Sequence, residues 1–185
     1  MRGPFYNDSL PPWLITDVGA VTLLSTNKAL YPAAAHPNLG GNFFSYVGAG
    51  LRIKMFGRMT TAATPGNGQF ALYWGSGADA TGTILASSTA TALVAAGTNL
   101  SWCAEFDIVC RTPGTAGTLF VTGWTEFNVG LLLSTNAPIL IPSSAPAVSP
   151  AVDLTQNNVV SVQFNRSGST AETMQVHNLW FHALN

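Results

Sequence analysis

The chain has 185 residues, 47% of them hydrophobic and only 8% charged, against about 25% charged in an average globular chain. That length suits one domain with a full core. A net charge of −1 argues against a nucleic-acid binder, which needs a basic patch to offset phosphates, and so little charge argues against disorder. Weak electrostatic protection against self-association is a first sign of a protein that works in an assembly.

Residues 1–19 read as an extended N-terminal arm. Pro4, Pro11 and Pro12 interrupt regular structure there. Phe5, Tyr6, Trp13 and Leu14 make the arm too apolar to float free, so it is expected to lie across its own domain or a neighbour. Residues 20–185 read as a single domain. Ala20–Ser25 is a short first strand, and 26–50 are irregular, with Pro32, Pro37, Gly40, Gly41, Gly48 and Gly50. In Leu51–Thr61 the alternation sends Leu51, Ile53, Met55 and Met59 one way and Arg52, Lys54 and Arg58 the other. After a turn at Thr64–Gly68, Gln69–Gly75 returns with Phe70, Leu72 and Trp74 inward, which predicts a hairpin.

Gly75–Gly82 is a glycine-rich loop, and Ile84–Ser88 and Ala90–Ala95 are weak strands. Asn99–Arg111 is the cleanest strand, with Leu100, Trp102, Ala104, Phe106, Ile108 and Cys110 on one face. Ser101, Cys103, Glu105, Asp107, Val109 and Arg111 occupy the other. Thr118–Glu126 pairs back across the turn at Thr112–Gly117. Phe127–Leu133 continues that strand or begins another, and 134–151 form a Pro/Ser-rich connection. Val159–Asn165, a turn at Arg166–Thr170 and a long strand Glu172–Leu184 complete the chain. Eight to ten strands without a substantial helix predict an all-β antiparallel jelly-roll β-sandwich.

Convergent chemistry is sparse. Cys103 and Cys110 lie on one strand with opposite parity, about 23 Å apart, so no disulfide is expected between them. Met1–Asp8 lacks the apolar core of a signal peptide, and no run of about 18 apolar residues predicts a membrane span. His36, His177 and His182 do not share the spacing of a metal site on a strand. No G-x-S-x-G elbow or phosphate loop is present. Glu105 and Asp107 share a strand face and could be read as a glycosidase pair, but that face reads more simply as the solvent side. No catalytic residue, cofactor or metal is expected.

Among the five tryptophans, Trp74 and Trp102 fall on the apolar parity of their strands. Trp124 and Trp180 do not. In the last strand Leu179 and Phe181 oppose Met174, Val176 and Trp180, so both faces read as apolar and both need cover. The arm or another subunit is expected to supply the second cover. The candidate interface is therefore Phe5, Tyr6, Trp13, Leu14, Trp124, Met174, Val176 and Trp180.

The run Leu51–Gly75, the block Trp102–Gly117 and the ending Thr173–Asn185 resemble the strand and turn patterns of jelly-roll virion proteins of tailed bacteriophages, in particular capsid decoration and minor capsid proteins. The likeness covers Lys28–Asn185. It implies a protein made in the host cytoplasm and carried on the capsid surface as a homotrimer, with itself and the major capsid protein as partners. No direct contact with nucleic acid or membrane is implied. The alternative is a carbohydrate-binding or receptor-binding jelly-roll module of a phage tail or fibre.

Overall fold

Period-two alternation produces strands with one apolar face, and two such faces close on each other. The computed structural model describes residues 13–16, 20–23, 28–31, 36, 38–75, 82–127, 138–144, 148–168 and 170–184. Among them are thirteen strands and no helix. These are β1 (Trp13–Thr16), β2 (Ala20–Leu23), β3 (Lys28–Ala29), β4 (Asn38–Leu39), β5 (Gly50–Thr60), β6 (Asn67–Gly75), β7 (Thr83–Ser87), β8 (Thr91–Ala92), β9 (Leu100–Thr112), β10 (Thr118–Phe127), β11 (Ile139–Ile141), β12 (Asn158–Arg166) and β13 (Glu172–Leu184).

The larger sheet runs β1-β13-β5-β9-β10-β11, with β2 also on β13. The smaller runs β3-β12-β6-β7, with β4 on β12 and β8 on β6. Every described ladder is antiparallel. The expected hairpin over Leu51–Gly75 does not form: β5 and β6 enter different sheets, as do β12 and β13, and β5 pairs instead with β13 and β6 with β12, so the two connected strand pairs lie side by side and roll the chain into a jelly-roll sandwich. Between the sheets, Ile53, Met55, Phe106 and Ile108 face Phe70, Leu72, Val162 and Phe164, all fully buried. The Phe70 ring centroid lies 5.0 Å from that of Phe164 and 5.3 Å from that of Trp102.

The last strand departs from its alternation. Val176 pairs with Gly57 and Asn178 with Phe56, so His177 is an extra residue, a β-bulge. The bulge flips the parity. Met174 and Val176 therefore point into the same core as Leu179 and Phe181, and Met174 and Val176 are 1% and 0% exposed. This corrects the sequence expectation. β13 has one apolar face, and Met174 and Val176 belong to the core rather than to an interface. Gly57 makes the bulge possible, since a Cβ there would sit 2.0 Å from the Gln175 carbonyl oxygen and 2.6 Å from the Trp102 ring.

The outer edge of β13 is paired twice, by β2 at Glu172–Gln175 and by β1 at Asn178–Phe181. Residues 13–16 thus extend the larger sheet of their own chain and cover an edge that would otherwise invite another strand. In the smaller sheet, the Tyr31 hydroxyl donates to the Val160 carbonyl (3.1 Å) and accepts from the Val162 N–H (3.0 Å). It fills the ladder between β3 and β4, and its burial pushes the phenol's pKa up.

At one end the turns after β5 and β12 are knitted together. Arg166 Nε lies 2.6 Å from Glu172 Oε2, and neither side chain is exposed. The same guanidinium donates to the carbonyls of Thr170 and Pro65, and Thr170 Oγ1 donates to the Thr64 carbonyl.

Candidate functional site on the outer face of the larger sheet

Because one face of β5, β9, β10 and β13 goes to the core, their alternate residues share the outer face. Register aligns them in rows. One row runs Leu14, Trp180, Lys54, Glu105, Trp124, Leu140 through β1, β13, β5, β9, β10 and β11. Beside it run His182-Arg52-Asp107-Thr122 and Asn178-Phe56-Cys103-Glu126. Trp180 and Leu140 stand four strand spacings apart, about 19 Å.

Two apolar side chains of the row reach solvent, Trp180 at 39% and Leu140 at 68% exposed. Trp124 and Phe56 are half-buried between neighbours. Phe56 meets Trp180 edge-on at 6.0 Å, and Lys54 Nζ lies 5.7 Å from the Phe56 ring. At the centre, Arg52 donates from Nε to Asp107 Oδ1 and from Nη2 to Asp107 Oδ2, both at 2.7 Å. Glu105 joins Arg52 at 3.3 Å and Lys54 at 3.2 Å. The Asp107 hydrogen bonds hold the Arg52 proton more tightly than in free arginine. Burial and the nearby Glu126 raise the pKa of the Cys103 thiol.

Four of the seven basic residues (Arg52, Lys54, Arg58, Arg111) and three of the eight acidic ones (Glu105, Asp107, Glu126) stand on this face. Glu105 and Asp107 are both held by cations, Asp107 by Arg52 and Glu105 by Arg52 and Lys54. His36 lies elsewhere, with Nε2 3.1 Å from Ser161 Oγ. Among the described residues no three His, Cys, Asp or Glu side chains could hold a metal ion. No helix among them is long and apolar enough to cross a membrane.

Of the interface residues expected from sequence, Leu14, Trp124 and Trp180 fall in one row, and Trp13 pairs with Phe181 beside it. Phe5 and Tyr6 lie outside the described residues, as do the side chains of Trp13 and Leu14. Phe56 and Leu140 were missed. Phe56 had a signal, being the apolar residue on the charged parity of β5. Leu140 had none, since β11 has only three residues.

No protein-family model and no curated protein sequence matches the chain. Several solved structures are similar to it at low identity. The lectin I-B4 of Griffonia simplicifolia is 12% identical over 98% of this chain and 97% of its own, with a TM-score of 0.43. A legume lectin-like domain from Entamoeba histolytica is 8% identical over 91% and 84%, TM-score 0.39. The CBM2 module of the evolved Dit of Lactobacillus casei BL23 phage J-1 is 11% identical over 79% and 66%, TM-score 0.34. This chain is an all-β jelly-roll sandwich.

Proposed function

We propose that the chain is a non-enzymatic virion structural protein that docks on protein subunits through the outer face of its larger sheet. The observation that carries this is the row in which Trp180 and Leu140 stand exposed on either side of an internally paired charge network. Aromatic residues and arginine are the side chains that concentrate binding energy at interfaces, and paired charges lower the cost of covering them. Four cations against three anions leave the face almost neutral, so a second copy of the chain is not repelled. In its finer form the proposal is a homotrimer on the outside of a tailed-phage capsid, with the major capsid protein as the other partner, as the resemblance of Lys28–Asn185 implies.

Sedimentation velocity on the double variant Trp180→Asp, Leu140→Asp tests the docking face. Its self-association is expected to weaken at least about 100-fold, the loss of roughly two hot-spot contacts. Association equal to wild type would overturn the assignment of this face. Deleting residues 1–19 is expected to leave the sandwich folded while baring the backbone of Asn178–Phe181. Faster hydrogen exchange there and weaker association would follow. Unchanged exchange at those four residues would mean that β1 does not protect the edge.

The exposed Trp180 ring favours a second reading, a glycan-binding module of a phage tail or fibre, in which that indole would stack on sugar. Quenching of tryptophan fluorescence by glycans that is lost in Trp180→Ala would support it.

A further inference from the structure

The row Leu14-Trp180-Lys54-Glu105-Trp124-Leu140 is chemically palindromic. From the line between β5 and β9, either direction meets a charged residue, a tryptophan and a leucine, and the two charges are opposite. The neighbouring rows divide at the same line. Arg52 of β5 stands beside Asp107 of β9, and Phe56 beside Cys103. Arg52, Lys54 and Arg58 thus form a column of cations on β5, and Glu105 and Asp107 a column of carboxylates on β9. Arg111 of β9 lies past the start of β5 and outside these rows.

An isologous contact sets one patch against itself, so that residue i meets j and j meets i. For two copies of this sheet packed face to face, the direction of the two-fold axis decides which columns meet. An axis across the strands lays β5 on β5 and β9 on β9, cations over cations and carboxylates over carboxylates. An axis along the strands, between β5 and β9, lays β5 on β9 and β13 on β10. Lys54 then faces Glu105 of the second copy, Arg52 faces Asp107, and Trp180 faces Trp124. Aligned sheets pack about 10 Å apart and within about 30° of each other, so rows near the axis stay in register. The rows from Arg52 to Arg58 span about 20 Å and the six strands about 24 Å. That is roughly 500 Å² on each copy, close to the total of about 1,000 Å² that a specific interface needs.

We infer that two copies of this chain pair through their larger sheets about a two-fold axis running along the strands between β5 and β9. This rests on the docking-face reading and names the partner as a second copy in one orientation. A two-fold contact closes on itself, so a threefold arrangement on a capsid would have to use other surfaces.

The test uses the full chain. Lys54→Glu alone and Glu105→Lys alone each set like charges opposite one another across the axis. Each is expected to weaken pairing at least about tenfold in sedimentation equilibrium. Mixed in equal amounts, the two variants present opposite charges at both positions, and a mass of two chains at wild-type affinity or tighter is expected. Orientation is read by cross-linking, with His182→Cys and Thr122→Cys each in a Cys103→Ser background. Both positions are exposed, and the axis brings each over the other. A bifunctional thiol reagent spanning about 10 Å, the gap between packed sheets, is expected to join the mixture of the two and neither variant alone. A mass of three chains, no recovery on mixing, or cross-linking within either cysteine variant alone would overturn the two-fold pair. The docking face itself would survive those results if Trp180→Asp, Leu140→Asp still lowers association. A wild-type chain that stays monomeric would overturn self-docking and the pair with it.

Discussion

Replacing Arg166 with methionine is expected to cost about 3–5 kcal/mol of stability at pH 8, the penalty for leaving one member of a buried ion pair alone. The guanidinium also satisfies the Thr170 and Pro65 carbonyls, which ties the β12–β13 turn to the β5–β6 turn. The loss should depend on pH. Burial outweighs the pull of Arg166 on Glu172 and pushes its carboxyl from the usual 4.5 up to about 7. A folded-state value above the unfolded one means that the native state holds this proton more tightly. The stability it contributes is full below pH 4.5 and is lost as pH rises toward 7. Without Arg166 the folded value climbs further, so stability keeps falling above pH 7. Glu172→Gln cannot titrate and should erase the wild-type slope in that window. Urea midpoints from pH 5 to pH 8 read both effects. Equal midpoints for Arg166→Met and wild type at pH 8, or an undiminished slope in Glu172→Gln, would contradict this reading.

Gly57→Ala is expected to cost about 3 kcal/mol, the upper end of ordinary overpacking, because the new Cβ meets backbone on one side and an indole on the other. The Gln175 carbonyl lies at 2.0 Å and belongs to β13 just before the bulge; the Trp102 ring lies at 2.6 Å in the core. Neither can step aside without moving the strand that rephases at His177. Gly40→Ala is the control, since nothing lies within 4 Å of a Cβ there. A Gly57→Ala midpoint in urea no lower than that of Gly40→Ala would show that the bulge does not depend on this glycine.

The long strands were legible because period-two alternation is a local property. Leu51, Ile53 and Met55 in β5 and Trp102, Phe106 and Ile108 in β9 show their inward faces directly, and all six are buried. β13 was misread because one inserted residue inverts every assignment beyond it, and alternation carries no mark of an insertion. The mark was in the partner strand, where Gly57 interrupts an otherwise well-filled pattern. Trp124 and Trp180 were legible as off-core residues, whereas their alignment with Leu140 depended on the register of four ladders. Arg52 and Asp107 were placed on outer faces by parity, yet their bidentate pair joins residues 55 positions apart.

The most direct test of the docking-face proposal is the solution mass of the purified full chain by light scattering, across dilution and from low to high salt. An oligomer that survives dilution, persists in high salt and is lost in Trp180→Asp, Leu140→Asp is the expected result, and a mass of three chains would fit the capsid-surface form of the proposal. A monomer at every concentration and salt would contradict self-association through the larger sheet.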